Sequence, residues 1–496
     1  MVGSIGDTEM SSIVDKNHES FLYQQVVDLI ETMKSTGTLR SGDKLPSLRK
    51  LSSQLGISIP TVKQAYVELE RLGKVEARPK SGYFLKAAEM PFNSPKRASF
   101  VRRPVPVRCQ SLIEECYEVV HSPNNLQLGI SHPVMASSPD KALARIMRRV
   151  LSHSGPKAMM YGPMDGFLPL KQSLVQRYLQ QGVSASSEDI IITNGAQEAL
   201  AIALQCVAKQ GDTIAVESPT YFGILELIEN LGMMALEIPT CSDDGICLDD
   251  LEESLQQHQV TACIFSSLIN NPLGSMMPKE KRQRIVELLE SRNIPLIEDA
   301  VYGELNFGES HELPMQAYST KGLVLTCSSF SKTVVASYRI GWLFSKRYEE
   351  KAKGLKRALS CSSSLLNQMV IYEFLRGGDY DRHLARLKQA LRVNKERMLA
   401  LIAKYFPENT CVTNPCGGGV LWVELPVGGD GIKLFRKSVK DNISITPGVL
   451  FSASGKYKRC VRISYGLPWT EVVENAIKRL GELSHELVEE RFDKVG

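Results

Sequence analysis

Apolar positions in the first hundred residues recur at helical spacing. In "FLYQQVVDLIETMKSTG", Leu22, Val26, Leu29, Ile30 and Met33 share one face, which predicts a first helix. "SGDKLPSLRKLSSQLG" breaks at Ser41-Gly42 and restarts, with Ser47 placed as an N-cap and Gly56 as a stop, so a short second helix follows. "SIPTVKQAYVELERLG" opens on Ser58 as N-cap with Pro60 in the first turn. It repeats Val62, Ala65, Tyr66 and Leu69 on one face, so Thr61, Lys63 and Gln64 point away from that core. Two short helices joined by "GI" and followed by the hairpin-like "KVEARPKSGYFL" predict a winged helix-turn-helix, whose second helix offers its first side chains to the major groove.

The pattern then dissolves. "KAAEMPFNSPKRASFVRRPVPVR" has four prolines, several basic residues and no periodicity, and predicts a linker over 87–124. From about residue 125, short apolar runs alternate with helical segments. The runs "DIIIT", "DTIAVE", "TACIFSS", "IPLIED", "GLVLT" and "RIGWLF" predict an α/β domain over 125–496 with a mainly parallel sheet and a smaller C-terminal α+β part. Residues 1–18 are left as a tail and 19–86 as the small module.

Charge sharpens this division. The net charge is only +4, yet residues 17–110 hold 16 Lys and Arg against 8 Asp and Glu, while 111–496 sum to −2. A basic excess concentrated in one segment near the N-terminus is the electrostatic footprint expected of a nucleic-acid-binding module, here for a double-stranded DNA operator. No apolar run nears the roughly 20 residues of a membrane helix, and the first twenty residues lack the apolar centre of a signal peptide, so a cytoplasmic location is expected. The eleven cysteines include no CxxC pair and no zinc-like spacing, so reduced, structural thiols and no metal are expected.

The predicted strands end in polar loops, and ligands of open α/β sheets bind beyond the carboxyl ends of their strands. Asn194-Gly195-Ala196-Gln197 lies where a strand feeds a helix, aiming the Ala196 and Gln197 amides at an anion. Ser329, Ser331 and Arg339 add hydroxyls and a guanidinium, which argues for a phosphate. Tyr221 offers a flat face for an aromatic ring, and Asp299, Tyr302 and Asn271 supply a carboxylate, a phenol and an amide for its edge. Lys332, in "SSFSKTVVASYRIGW", can form an imine with an aldehyde. A phosphate, a pyridine nitrogen, a phenolic oxygen and an aldehyde together describe pyridoxal 5′-phosphate.

Two resemblances bear on this reading. "GDKLPSLRKLSSQLGISIPTVKQAYVELERLGKVEARPKSGYFL" is similar to the DNA-binding domain of the GntR family. That resemblance implies DNA contacts from Arg49, Ser58, Thr61 and Lys63 and from the wing around Lys80 and Gly82; Ile59 stands where the family usually has a basic residue. "NGAQEAL", "SPTYFG", "NNPLG", "DAVYGEL", "SFSK…YRIGW" and "RISYG" resemble, in order, the class I and II group of fold type I aminotransferases. Carried over, the resemblance makes Lys332 the Schiff-base and catalytic lysine, Asp299 the pyridine partner, Asn271 and Tyr302 the phenolate partners, and Tyr221 the stacking residue. Ser329, Ser331, Arg339 and Gly195 to Gln197 become the phosphate cup. It further implies that Tyr161 reaches the phosphate of the other subunit and that Arg462 holds a substrate carboxylate. Ala336, Ser337 and Lys171 depart from the usual proline, glycine and arginine.

The two modules in one chain resemble the MocR subfamily of bacterial regulators, which implies a homodimer, often with exchanged DNA-binding domains, and an amino acid or amino compound as effector. The expected function is a transcriptional regulator that binds pyridoxal 5′-phosphate at Lys332 and senses it or its amino acid adduct. The alternatives are an active aminotransferase with an accessory DNA-binding domain and a cofactor-buffering protein.

Overall fold

The computed structural model describes residues 21–35, 39, 43–72, 74–78, 82–85, 92–107, 110–122, 124–308 and 312–492. The expected tail and Lys80 lie outside them. The chain divides between residues 91 and 92 into two compact units.

In the first unit, helices Leu22–Ser35, Leu48–Leu55 and Ile59–Arg71 precede an antiparallel hairpin of Val75–Arg78 and Gly82–Leu85. The Ser47 hydroxyl accepts the Lys50 amide, and Gly56 ends the second helix at φ 62°, a left-handed conformation that glycine adopts without strain. Ser58 caps the third helix by accepting the Thr61 amide. Val26, Ile30, Val62, Ala65, Tyr66 and Leu69 bury the faces predicted by periodicity, and Leu51 and Leu55 of the second helix join the same core. The buried Tyr66 hydroxyl is satisfied by donating to the Pro46 carbonyl at 2.8 Å, which ties the third helix to the turn before the second.

In the second unit a sheet runs in the order Val105–Pro106, Met234–Cys241, Thr213–Ser218, Ala262–Phe265, Leu296–Asp299, Val324–Ser329, Gly341–Phe344, Ile190–Thr193, with Gly245–Ile246 pairing off Met234–Cys241. The strands from Met234–Cys241 to Val324–Ser329 pair in parallel. Gly341–Phe344 is antiparallel to both its neighbours, so Ile190–Thr193 returns to the common direction. The C-terminal ends of the Ile190, Thr213, Ala262, Leu296 and Val324 strands therefore share one edge of the sheet. Buried apolar residues from these strands and from helix Ala196–Val207 fill the core beside it. A smaller antiparallel sheet, Cys411–Val412, Val420–Glu424, Cys460–Ser464, Thr446–Pro447, follows towards the C-terminus.

The expected linker needs correction. Residues 92–107 belong to the second unit and are tied into it: Arg102 pairs with Asp250 and Glu253, Arg97 pairs with Asp250, and the Lys456 ammonium lies 3.6 Å from the centre of the Phe100 ring. Val105–Pro106 adds an edge strand, a position where proline's missing N–H is harmless. Gln110–His121 is a helix. Ion pairs to residues about 150 positions away replace the internal periodicity this stretch lacks.

Candidate functional site

The loops at the common sheet edge enclose a cavity of about 530 Å³. Lys332, just after strand Val324–Ser329, is held in it by donating from Nζ to the Ser131 carbonyl at 2.7 Å. Burial, with the Arg462 and Arg339 guanidiniums nearby, pushes its ammonium down to about 8, against a weaker opposing pull from Asp299. A large share of this amine is therefore neutral near pH 8, the form that attacks a carbonyl. Asp299 ends the neighbouring strand, 8% exposed. Burial pushes its carboxyl up to about 6, although it accepts the Val301 amide.

Tyr302 donates its hydroxyl to Ser131 Oγ at 2.7 Å, and burial pushes its phenol up to about 12. Asn271 Oδ1 accepts from Arg462 Nη1 at 3.0 Å, so the Asn271 amide nitrogen is left as the donor towards the cavity. Arg462 lies on Cys460–Ser464, a strand paired on both sides, and is 3% exposed. It also donates to the Gly129 carbonyl and to Thr446, while its Nε is buried without a partner. Tyr221 lines the same cavity.

At one end of the cavity, Ser331 donates its amide to Ser329 Oγ at 2.9 Å, and the two hydroxyls lie 2.8 Å apart. Arg339 donates to the Asn194 carbonyl at 3.0 Å. Gly195 caps helix Ala196–Val207 at φ 81°, and a Cβ there would lie 2.5 Å from Arg339 Nη2, so only glycine lets the guanidinium reach the helix N-terminus. Gln197 fixes that end by donating to the Gly223 carbonyl at 2.8 Å. Two hydroxyls, a guanidinium and the first amides of a helix converge here, the donor set of a phosphate site.

In the first unit Arg49, Ser58 and Lys63 are exposed, Thr61 is half-buried, and Gly82 opens the second wing strand. The Ser58 and Thr61 hydroxyls lie 2.8 Å apart, one pair at the start of the third helix.

With both geometries in view, the comparisons are decisive. The profile "Aminotransferase class I and II" matches residues 124–480, and "Bacterial regulatory proteins, gntR family" matches 22–85. The uncharacterized HTH-type transcriptional regulator YjiR of Escherichia coli is 34% identical over 94% of this chain and 99% of its own. The chain belongs to the MocR-type family of GntR regulators. The HTH-type transcriptional regulator NorG of Staphylococcus aureus is 26% identical over 88% of this MocR-type chain and 98% of its own. Among solved structures, the α-aminoadipate aminotransferase LysN of Thermus thermophilus, complexed with N-(5′-phosphopyridoxyl)-L-leucine, superposes with a TM-score of 0.71. It is 27% identical and covers 76% of this chain and 95% of its own.

The structure of this MocR-type chain thus gathers Lys332, Asp299, Asn271, Tyr302, Tyr221, Ser329, Ser331, Arg339, Ala196, Gln197 and Arg462 around one cavity, with Gly195 at its rim. Tyr161 is not among them; it is 91% exposed. Ser131 and His132 escaped the sequence reading, because an isolated "SHP" carries no spacing signal. Ser131 holds both Lys332 and Tyr302, and the His132 imidazolium is pushed down to about 4 by burial and by Lys332. Helix Gln110–His121, expected as linker, covers part of the cavity with Ile113, Cys116, Tyr117 and Val120.

Proposed function

We propose that this regulator binds pyridoxal 5′-phosphate in the aminotransferase-like cavity and that the occupancy of that cavity by an amino acid or amino compound governs its binding to double-stranded DNA. The single observation that carries the reading is the convergence of Lys332, Asp299 and the phosphate donor set on one cavity, in a chain whose first unit carries Arg49 and Lys63 exposed around its recognition helix.

The residues present fit the cofactor. Asp299, held near 6 by burial, gains from a cationic ring nitrogen beside it, which restores its ionised form. The Asn271 amide and the Tyr302 phenol suit a phenolic oxygen, and Tyr221 suits the face of a ring. When bound, pyridoxal 5′-phosphate supplies an electron-poor aldehyde that reacts with amines. Lys332 is the one lysine among the described residues that line the cavity, and its depressed basicity keeps it available as a proton carrier at Nζ. Ser131 orients both Lys332 and Tyr302. Arg462 offers its unpartnered Nε and a planar fork to a carboxylate.

DNA contacts are assigned to Arg49, Ser58, Thr61 and Lys63 with the wing from Lys80 to Gly82, and the proposed DNA-binding module spans 19–86. A homodimer is supported by an exposed apolar run of Met159, Met160, Tyr161, Met164 and Leu168, which would place Tyr161 at a partner's phosphate site. Work on DNA sets the compartment as the cytoplasm. A second reading, a working aminotransferase, rests on Lys332 and Arg462 facing the same cavity. Stoichiometric keto acid release without turnover favours the regulator, and sustained turnover favours the enzyme.

The test of the cofactor assignment is reduction of the protein, loaded with pyridoxal 5′-phosphate, by borohydride. Mass spectrometry should find a pyridoxyl mass on the peptide holding Lys332, and Lys332→Ala should abolish it. A pyridoxyl mass elsewhere, or none, would overturn the assignment.

A further inference from the structure

The far side of the cavity carries a carboxylate that neither the fold nor the cofactor set uses. Glu226 lies on helix Phe222–Asn230 and lines the cavity, half-buried, with no ion pair or side-chain hydrogen bond among the described residues. Three residues on, Glu229 has its Oε2 buried without a partner. Burial raises the cost of ionising Glu226, and the like charge of Glu229 at this spacing on the same helix face adds to it. A cation brought to Glu226 would relieve both.

The geometry says what lies between that carboxylate and the carboxylate anchor. Phe222 is four residues before Glu226, so the two side chains share one helix face about one turn apart. At its other side the Phe222 ring lies 5.9 Å from the Arg462 guanidinium. Phe222 and Leu200, with Ile113 and Val120 of the covering helix, give the cavity an apolar lining, to which Tyr117 adds a phenol that lies in the field of both Glu226 and Arg462. The cavity therefore runs from a buried cation with an unpartnered Nε, along a methylene-compatible surface, to an unpaired anion.

We infer that the amino compound read by this site is an α-amino acid bearing a second cationic group at the end of an aliphatic side chain, such as lysine or ornithine, with its carboxylate on Arg462 and its distal ammonium on Glu226. The inference rests on the reading of the cavity as a cofactor and amino acid site. Glu226 is then the residue that sets specificity, because an aliphatic chain without the ammonium leaves the carboxylate desolvated and unpaired.

The test is calorimetric titration of the cofactor-loaded full chain with L-lysine, L-ornithine and L-norleucine, which shares lysine's aliphatic chain without its ammonium. A charge-assisted contact predicts that lysine or ornithine binds about ten- to a hundredfold more tightly than norleucine. Glu226→Gln should erase that difference while leaving norleucine binding and the thermal midpoint unchanged. Norleucine binding as tightly as both basic amino acids, or undiminished discrimination in Glu226→Gln, overturns the inference. Failure of all three to bind a chain that carries the cofactor on Lys332 also overturns it and leaves the cofactor assignment standing. Absence of the cofactor from Lys332 removes both.

Discussion

Glu217, next to last in strand Thr213–Ser218, is fully buried, and Ser266 donates its amide to Oε2 at 2.8 Å while Oε1 has no partner. Burial pushes its carboxyl up to about 8, against the pull of its hydrogen bonds. The folded state therefore holds a proton that the unfolded chain has released, and stability falls as pH rises from about 4.5 to about 8 and levels off beyond. Glu217→Gln has no proton to lose. Its free energy of unfolding, read from denaturant titrations, should gain on the parent's progressively across that window, by an amount on the order of a few kcal/mol at its upper end. A gap that does not change between pH 5 and pH 9 would show that this carboxyl is not held protonated. At this same scale the sequence was most informative where chemistry sits at a strand end. Asp299 closes an apolar run, Lys332 and Asn271 stand in the loops just beyond two others, and their residue types suit a ligand. Ser131 and Glu226 were invisible, since each acquires its role only from side chains more than a hundred residues away or from the absence of a partner.

Among elements, those with a period of their own were legible. The third helix shows its buried face in Val62, Ala65, Tyr66 and Leu69, and its start in Ser58. Leu69 is fully buried, and Leu69→Ala should cost about 2 to 5 kcal/mol through lost burial and a residual cavity. In a small unit that is enough to separate its melting from that of the rest of the chain. Calorimetry should show an early transition accompanied by loss of DNA binding, with cofactor retention unchanged. A single transition at the parent temperature would place Leu69 outside the core. Strand Met234–Cys241 was missed because Glu237 and Pro239 interrupt its apolar run. Glu237 is tolerated inside only because Lys456, Ser452 and Ser454, more than two hundred residues away, neutralise and bond it. Helix Gln110–His121 was missed because it follows a proline-rich stretch. Its apolar residues Ile113 and Cys116 line the cavity and also pack with Leu273, Trp422, Leu450 and Phe451, all more than 150 positions away.

For the whole molecule, the partition of charge is the property that sequence alone establishes, and it carries a quantitative expectation. The basic excess lies within residues 17–110, but five of its basic residues and no acid fall in 92–110, inside the second unit, where Arg97 and Arg102 are already paired with Asp250 and Glu253, so in the first unit the draw on a polyanion rests on individual exposed side chains. Each phosphate neutralised on DNA releases condensed counterions, so the logarithm of affinity should fall linearly with the logarithm of salt concentration, with a slope of about −0.9 per contact. Arg49 and Lys63 are both exposed, and neither forms an ion pair among the described residues, so each is free to meet a phosphate or a base edge. If Lys63 meets a phosphate, Lys63→Ala should weaken binding about equally across DNA sequences and make the slope shallower by about 1. If Arg49 reads a base edge, Arg49→Ala should leave the slope nearly intact and relax preference at one position of each half-site. A dimer doubles both effects, because two copies of each side chain meet one operator. Electrophoretic mobility shifts on an operator selected from random DNA, over a range of salt concentrations, read slope and sequence preference together. A salt-independent affinity, or two variants that bind like the parent, would remove this surface from DNA recognition and leave the working aminotransferase as the better account of the chain.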